Sequence, residues 1–352
     1  MAGNPAEQRI REEVVHLVKN LRALNGGPTD VSQLIMNAVS NVTCHMLFGK
    51  RYDYEDKNFR NLLQSCHRMM TGLQSSAMLT YIPILWYSPM PFKNELRHHY
   101  QKVIDYTKRV VEECRLAESD EFLPTSFVDA YLEWERDHEN TKCEGVENSK
   151  RFLGEPEHLS VTVLNLFTTG TTITATSIVW TLLFLCQNQD VQERCFNEIK
   201  DNIGLEVAPA YHDMRRLPYI EAVTMEVHRR ASLMPLGLPH AVSDDVEVYG
   251  YTIPKGTMVM SNLWAVHMDE KNWERPEKFD PSRFLDDNGP RDCIASQFAE
   301  MEFFLMLSRL VQVFKFKLPD DDLVPSADGN PGLINAPDNF KIICASRFSD
   351  DF

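Results

Sequence analysis

An arginine and a cysteine lie two residues apart in segment 289–295 (GPRDCIA), directly before an apolar pattern with helical spacing. Backbone N–H groups at the start of a helix lack intrahelical partners, and together with the helix dipole they stabilise a thiolate at Cys293. A thiolate is one of the axial ligands of iron in a porphyrin. The segment alone favours an ordinary cysteine at a helix start, and a thiolate ligand of iron at Cys293 becomes the better interpretation only together with the features below.

A second set of residues could form a buried ionic network. Glu226 and Arg229 are three residues apart, so they share one face of a predicted helix. Alone, such a pair is common on exposed surfaces and contributes only a few tenths of a kcal/mol. Another arginine, Arg283, lies in the proline-pinned segment 276–284 (PEKFDPSRF). An arginine held in a rigid segment can fork onto Glu226 and complete a three-residue network.

The elements that must position these residues are mostly helices. Apolar residues recur at helical spacing from Val14 to Leu21 and from Val31 to Val42. Longer helices are predicted over residues 94–116, 158–188, 190–203, 218–230 and 294–314. A hairpin around Gly250 and a further strand at 258–260 form the β portion. The sequence predicts a mainly α fold with a minor β portion, in a single domain over residues 1–352, helical in 1–235 and β-containing in 236–352.

Composition excludes several classes of protein. With 43% hydrophobic and 25% charged residues, the chain is typical of a globular protein and not of a disordered or collagen-like one. The 51 acidic against 36 basic residues give a formal charge of −15, which argues against a nucleic-acid binder. The eight cysteines form no CxxC pair, so free thiols are expected.

The order of these features resembles the cytochrome P-450 superfamily of haem-thiolate monooxygenases. The order is a long central helix, an ExxR helix, a hairpin, a PxxFxPxRF segment and a GxRxC motif before the last helix. The chain looks most similar to the animal microsomal class that oxidises drugs, steroids and fatty acids. Supporting strings lie at residues 48–54 (FGKRYDY), 217–223 (LPYIEAV), 238–242 (LPHAV) and 301–305 (MEFFL).

The resemblance implies a role for each candidate residue. Cys293 would be the proximal ligand of the iron in haem b, and Arg291 and His240 would be the basic partners of the haem propionates. The acid–arginine set would be a structural network that assists haem incorporation. The implied reaction inserts one oxygen atom from dioxygen into an apolar substrate of the steroid, fatty-acid or xenobiotic class. Electrons would come from an NADPH-dependent flavoprotein reductase or another electron donor.

The central helix departs from the family's pattern of a small residue, glycine, any residue, an acid and threonine. Here residues 169–173 read TGTTI, so Thr172 stands in place of the acid and Ile173 in place of the proton-relaying hydroxyl. Thr174 is one position further and is rotated by about 100° around the helix. Gly170 allows close approach of a ligand or a kink. Thr172 and Thr174 are the candidate catalytic residues, and the alternative is a packed, threonine-rich helix.

Other departures concern the first elements of the family's fold and its haem-binding loop. The chain is expected to lack the membrane-anchor helix, the proline-rich hinge and the early helices, and its haem-binding loop between Phe284 and Cys293 is short. The family resides on the cytoplasmic face of the endoplasmic reticulum. We expect this chain to be cytoplasmic or peripheral, with a possible membrane contact at residues 81–92. Two hypotheses remain: a haem monooxygenase, or a non-catalytic truncated product or interaction protein that does not bind haem productively.

Overall fold

The computed structural model describes residues 4–81, 91–117, 124–139, 156–285, 296–320, 323–330 and 332–348. Two of the predicted haem-binding residues, Arg291 and Cys293, lie outside these ranges, as does most of the predicted membrane-contact segment at 81–92. The chain divides into two compact units. One is drawn from residues 1–25, 31–175 and 293–310, and the other from residues 26–30, 176–292 and 311–352.

Helices build the first unit. Its elements are α1 (Pro5–Arg22), α2 (Ser32–Phe48), α3 (Lys57–Tyr81), α4 (Pro91–Ala117), α5 (Phe127–Glu139), most of the central helix α6 (Pro156–Gln187) and most of α10 (Ser296–Val313). The side chain of Asn4 caps α1 by accepting from the backbone N–H of Ala6 at 3.0 Å. Phe48, Phe59, Phe167 and their aliphatic neighbours form the core of this unit.

The second unit contains the end of α6 and the smaller elements. Within the described residues, these smaller elements are three helices, two 3₁₀ turns and six short strands. The helices are α7 (Gln189–Asn202), α8 (Pro218–Ala231) and α9 (Leu263–His267), and the 3₁₀ turns are Tyr211–Arg216 and Pro281–Phe284. Pro218 occupies the first turn of α8, where its missing N–H has no intrahelical acceptor to lose. Ile220, Val223 and Val227 follow at helical spacing and are fully buried.

The strands pair antiparallel in three two-stranded sheets within the described residues. β1 (His240–Ala241) pairs with β4 (Met258–Val259), β2 (Val246–Val248) with β3 (Tyr251–Ile253), and β5 (Phe314–Lys317) with β6 (Ile343–Ser346). Gly250 forms the two-residue turn of the β2–β3 hairpin with Tyr249, and both residues have positive φ. That geometry matches the twist of the flanking strands.

The predicted fold class is confirmed: the described residues are mainly helical, with a small β portion. The last helix ends at Val313, one residue earlier than predicted, because Phe314 begins β5. By length and composition alone, residues His158–Gln187 of α6 would suit a membrane span, but 78% of the most apolar window is buried within the structure. Burial of that degree is typical of a core helix.

Candidate functional site

Glu226 and Arg229 form a buried, two-pronged ion pair on α8. Arg229 Nε donates to Glu226 Oε2 at 2.7 Å, and Arg229 Nη2 donates to Glu226 Oε1 at 2.8 Å. Glu226 is fully buried and Arg229 is 2% exposed. The three-residue spacing places the two side chains one turn apart, which is what makes this fork possible. The pair is therefore an internal feature of the fold and not a surface contact.

Arg229 also holds the chain that follows α9. Its guanidinium donates to the carbonyl oxygens of His267 at 2.7 Å, Pro276 at 2.8 Å and Lys278 at 3.3 Å. Its Cζ lies 5.1 Å from the centre of the Trp273 ring, within range of a cation–π interaction. One side chain thus supplies donors to the last carbonyl group of α9 and to two carbonyl groups of the irregular segment that follows it.

The carboxylate of Glu226 is shared with two further groups. The backbone N–H of Asp280 donates to Glu226 Oε1 at 2.8 Å. Arg283 Nε lies 3.6 Å from the same oxygen, and Arg283 Nη2 donates to the carbonyl of Arg275 at 2.9 Å. The structure therefore brings together all three residues of the predicted acid–arginine network. A buried carboxylate with this many donors has its charge compensated.

The segment that carries Arg283 is fixed at two consecutive residues, Phe279 and Asp280. Phe279 stacks on Phe184 of α6 with ring centres 4.7 Å apart, which anchors the start of the segment. The Asp280 carboxylate accepts from the backbone N–H and the hydroxyl of Ser282, and so caps the 3₁₀ turn Pro281–Phe284. Hydrogen bonds from the Ser282 hydroxyl and from Lys278 lower the pKa of Asp280 to about 2.

Sequence reasoning missed a neighbouring ion pair. Arg230 Nη2 donates to Asp328 Oδ1 at 2.8 Å, and Arg230 Nε donates to the carbonyl of Glu277 at 2.9 Å. Arg230 is buried whereas Asp328 is mostly exposed. The arginine doublet at the end of an apolar helix was the available signal, because consecutive arginines on a buried helix need two separate sets of acceptors.

The predicted catalytic threonines lie on packed sides of α6. Thr172 is 8% exposed and Thr174 is 9% exposed. Ile173 is half-buried, and Thr169, one turn earlier on the same side, is exposed. Because successive helical residues are rotated by about 100°, Thr172 and Thr174 flank the open side of the helix at Ile173. The open side presents an isoleucine where the family's pattern has a hydroxyl.

Gly170 permits close packing between helices. A Cβ built on Gly170 would lie 3.6 Å from Oγ1 and Cγ2 of Thr43 on α2, which is an ordinary van der Waals distance. The side of Gly170 that lacks a side chain therefore faces α2. Its predicted contact with a cofactor stays a prediction.

The remaining candidates are a histidine and the two residues of the haem loop. His240 is exposed in β1, where it pairs with Val259 of β4. Arg291 and Cys293 lie outside the described residues, and the first described residue of α10, Ser296, follows Cys293 by three positions. Six cysteines belong to the described part of the chain and form no disulfide there: Cys44, Cys66, Cys114, Cys186, Cys195 and Cys344.

Comparisons with known proteins identify a family. The family model for cytochrome P450 matches residues 2–344. The chain is 37% identical to cytochrome P450 2U1 of Homo sapiens, covering 97% of this chain and 64% of that protein. It is 34% identical to cytochrome P450 2J5 of Mus musculus and 31% identical to cytochrome P450 2C3 of Oryctolagus cuniculus, with 97% of this chain and 69% and 71% of those proteins covered.

The chain spans about two thirds of the length of these curated relatives. The family match nevertheless extends over nearly all of its residues and includes α8, the segment after α9 and the last helix. The chain belongs to the cytochrome P450 family.

Proposed function

We propose that this protein is a haem-dependent monooxygenase that inserts one oxygen atom from dioxygen into an apolar organic substrate. The observation that carries the proposal is the buried fork of Arg229 on Glu226, which ties residues 276–283 to α8 directly before the predicted haem loop. The family match and the identity of 31–37% to curated cytochromes P450 support the same chemistry.

Haem b would supply the activation of dioxygen when bound, with Cys293 as the ligand of its iron. Arg291 and the exposed imidazole of His240 would donate hydrogen bonds to the propionates, which are carboxylates. The open side of α6 carries no charged group at Leu166, Thr169 or Ile173, which suits an apolar ring system or substrate. The donor chemistry of these residues therefore fits a haem.

This chain's own residues would act by positioning and by excluding water. Ile173 and Leu166 would give the open side of α6 an apolar surface, which favours a steroid, fatty-acid or xenobiotic substrate over a charged one. Thr172 and Thr174, on the flanking packed sides, remain candidates for altered proton delivery. Their burial favours the alternative, in which they hold the packing of the helix.

An absorption spectrum of the purified protein tests the proposal. Protein expressed with haem precursor, reduced and exposed to carbon monoxide, should show the red-shifted Soret band of thiolate ligation. Cys293→Ala should abolish this band, whereas Cys114→Ala, which removes a half-buried thiol of α4, should retain it. If the wild-type protein binds no haem, the proposal is overturned, and the non-catalytic alternative is favoured.

We also propose that electrons reach the protein from an NADPH-dependent flavoprotein reductase. NADPH consumption should then require the reductase, dioxygen and an apolar substrate together. A pyridine haemochrome spectrum distinguishes haem b from other haems.

We further propose a location on the cytoplasmic side of the endoplasmic reticulum, either in the cytoplasm or peripheral to the membrane. Fractionation of expressing cells tests this location. Recovery in the lumen would contradict it.

A further inference from the structure

Two consecutive arginines of α8 donate to three successive carbonyl groups in the segment before the predicted haem loop. Arg229 Nη2 donates to the carbonyls of Pro276 at 2.8 Å and Lys278 at 3.3 Å. Arg230 Nε donates to the carbonyl of Glu277, the residue between them, at 2.9 Å. Both arginines are buried, at 2% and 6% exposed. A carbonyl group that is shielded from water needs a donor, so this stretch depends on both side chains.

Residues 275–278 form a strained turn. The N–H of Lys278 donates to the carbonyl of Arg275 at 3.0 Å and closes the turn, and Arg275 has a φ of +47°. A left-handed conformation is unfavourable for a residue other than glycine, and it persists where the surrounding contacts impose it. The hydrogen bonds from Arg229 and Arg230 are such contacts, because they fix the carbonyl groups of the turn.

Arg230 also binds a loop from a distant part of the sequence. Its Nη2 donates to Oδ1 of Asp328 at 2.8 Å, while its Nε donates to the carbonyl of Glu277. A guanidinium is planar and presents its donors in fixed directions, so the position of one acceptor constrains the position of the other. Arg230 therefore joins the turn to the loop 328–336, in which position 331 lies outside the described residues.

The 328–336 loop is itself fixed to two helices. The side-chain amide of Asn335 donates to the carbonyl of Ala231, at the end of α8, at 2.7 Å. The same amide donates to the carbonyl of Asp328 at 3.1 Å. Trp180 Nε1, on α6, donates to the carbonyl of Asn335 at 3.0 Å. The loop therefore holds the backbone of Asp328 in a defined position.

Aromatic rings of α6 connect the same two regions. Phe279, which follows the turn, stacks on Phe184 with ring centres 4.7 Å apart, and Phe184 stacks on Trp180 at 5.3 Å. All three rings are buried, and Trp180 contacts the loop through its hydrogen bond to Asn335. The segment and the loop are therefore joined both by Arg230 and through α6, so a change in one is expected to affect the other.

We propose that Arg230 is a positioning residue for the haem site, and that it acts by joining the turn 275–278 to the 328–336 loop. The segment that continues from this turn ends at Phe284, and Cys293 follows nine positions later. A turn with fixed carbonyl groups directs the chain towards the predicted haem loop along one path. The haem part of this inference rests on the monooxygenase proposal, whereas the joining of turn and loop does not.

Hydrogen–deuterium exchange of the haem-free protein tests this role. Arg230→Met removes both donors, so the backbone amides of residues 276–284 should exchange at least about tenfold faster than in the wild type. Asp328→Ala removes the acceptor in the loop and should accelerate the same amides about threefold, since an ion pair with one exposed partner is weak. Exchange in α7 should stay unchanged in both variants, which separates local release from a general loss of stability.

Asp338→Ala is the matched control for Asp328→Ala. Asp338 is an exposed carboxylate just after the loop, and it accepts from the side chain of Asn330 at 2.6 Å. Its removal should leave exchange at 276–284 as in the wild type. Unchanged exchange in Arg230→Met and Asp328→Ala, or equal acceleration in α7, overturns the proposal. If Arg230→Met does not fold, Asp328→Ala decides alone, because its side chain is 78% exposed and can be removed without a change in the core.

A carbon monoxide spectrum provides a second measurement, at the haem site. With haem precursor supplied, Arg230→Met should show a smaller fraction of its bound haem in the red-shifted Soret band than the wild type or Asp338→Ala. Equal fractions in all three proteins overturn the role at the haem site. A wild type that binds no haem overturns the monooxygenase proposal and this role together, whereas the exchange measurement still decides whether Arg230 fixes the turn.

Discussion

Glu226 and Arg283 form an ion pair at 3.6 Å without a direct hydrogen bond between Arg283 Nε and the carboxylate. Arg229, in contrast, donates to both oxygens of the same carboxylate at 2.7 and 2.8 Å. The two arginines of the network are therefore unequal partners: one is coupled to Glu226 by a fork, and the other by charge alone.

We expect Arg229→Met to destabilise the protein by about 3–5 kcal/mol, because it leaves a buried carboxylate without its main partner. Arg283→Met should cost only about 1 kcal/mol, since it removes one hydrogen bond to a carbonyl and a longer-range ion pair. Urea titration followed by circular dichroism gives both free energies of unfolding. Equal losses in the two variants would contradict the asymmetry.

Gly329 is expected to tolerate no side chain. A Cβ at this position would lie 2.5 Å from Cζ2 of Trp180 and 2.7 Å from the carbonyl oxygen of Ala336, and Gly329 has a φ of +68°. Gly329→Ala should therefore lower the free energy of unfolding by about 3 kcal/mol, from overpacking and backbone strain together. Gly256→Ala is the control, because Gly256 has positive φ but no described atom within 4 Å of the position that a Cβ would take. A similar loss in both variants would show that backbone strain alone acts.

Glu302 on α10 should make stability depend on pH. Its carboxyl group is fully buried, and burial raises its pKa well above the ordinary value. The folded protein then keeps a proton that the unfolded chain releases, so stability falls as pH rises above the ordinary pKa of glutamate. Glu302→Gln should become increasingly more stable than the wild type as the pH rises above the ordinary pKa of glutamate. Glu300→Gln, at an exposed position of the same helix, should show no such trend.

Glu198 should stabilise the N-terminus of α8. Its carboxylate accepts from the backbone N–H groups of Tyr219 and Ile220 at 2.8 and 3.0 Å, and so caps that helix from α7. Glu198→Ala should cost about 1–2 kcal/mol, and Glu198→Gln less, because the amide oxygen still accepts. Thermal unfolding of the two variants measures the difference. An alanine variant as stable as the wild type would show that water replaces the cap.

Much of the fold could be predicted from local patterns. Pro156 and Pro218 mark helix starts, and Gly250 marks the hairpin turn, since each restricts the backbone in a way that needs no tertiary information. The boundary between α10 and β5 at Phe314 was harder to predict. The sequence FKFK alternates as a strand does, but it directly continues an apolar helix, and only pairing with β6 decides between the two.

Within the acid–arginine network, the side-chain partners could be predicted from the sequence, but the backbone partners could not. The spacing of Glu226 and Arg229 indicates their pairing, whereas nothing in the sequence indicates that Arg229 donates to the carbonyls of His267 and Pro276. Carbonyl groups occur at every residue, so only the path of the chain selects them. The burial of Thr172 and Thr174 likewise depends on neighbouring helices, which a single helical pattern does not specify.

The hydrogen bonds that Arg229 and Glu226 make to main-chain atoms join an irregular segment to a core helix. The amide of Asp280 can exchange its proton with solvent only after its hydrogen bond to the carboxylate of Glu226 breaks. A loop would ordinarily exchange within seconds, but this one should exchange as slowly as the interior of α8. Segment and helix would then open together, as one cooperative unit of the native protein.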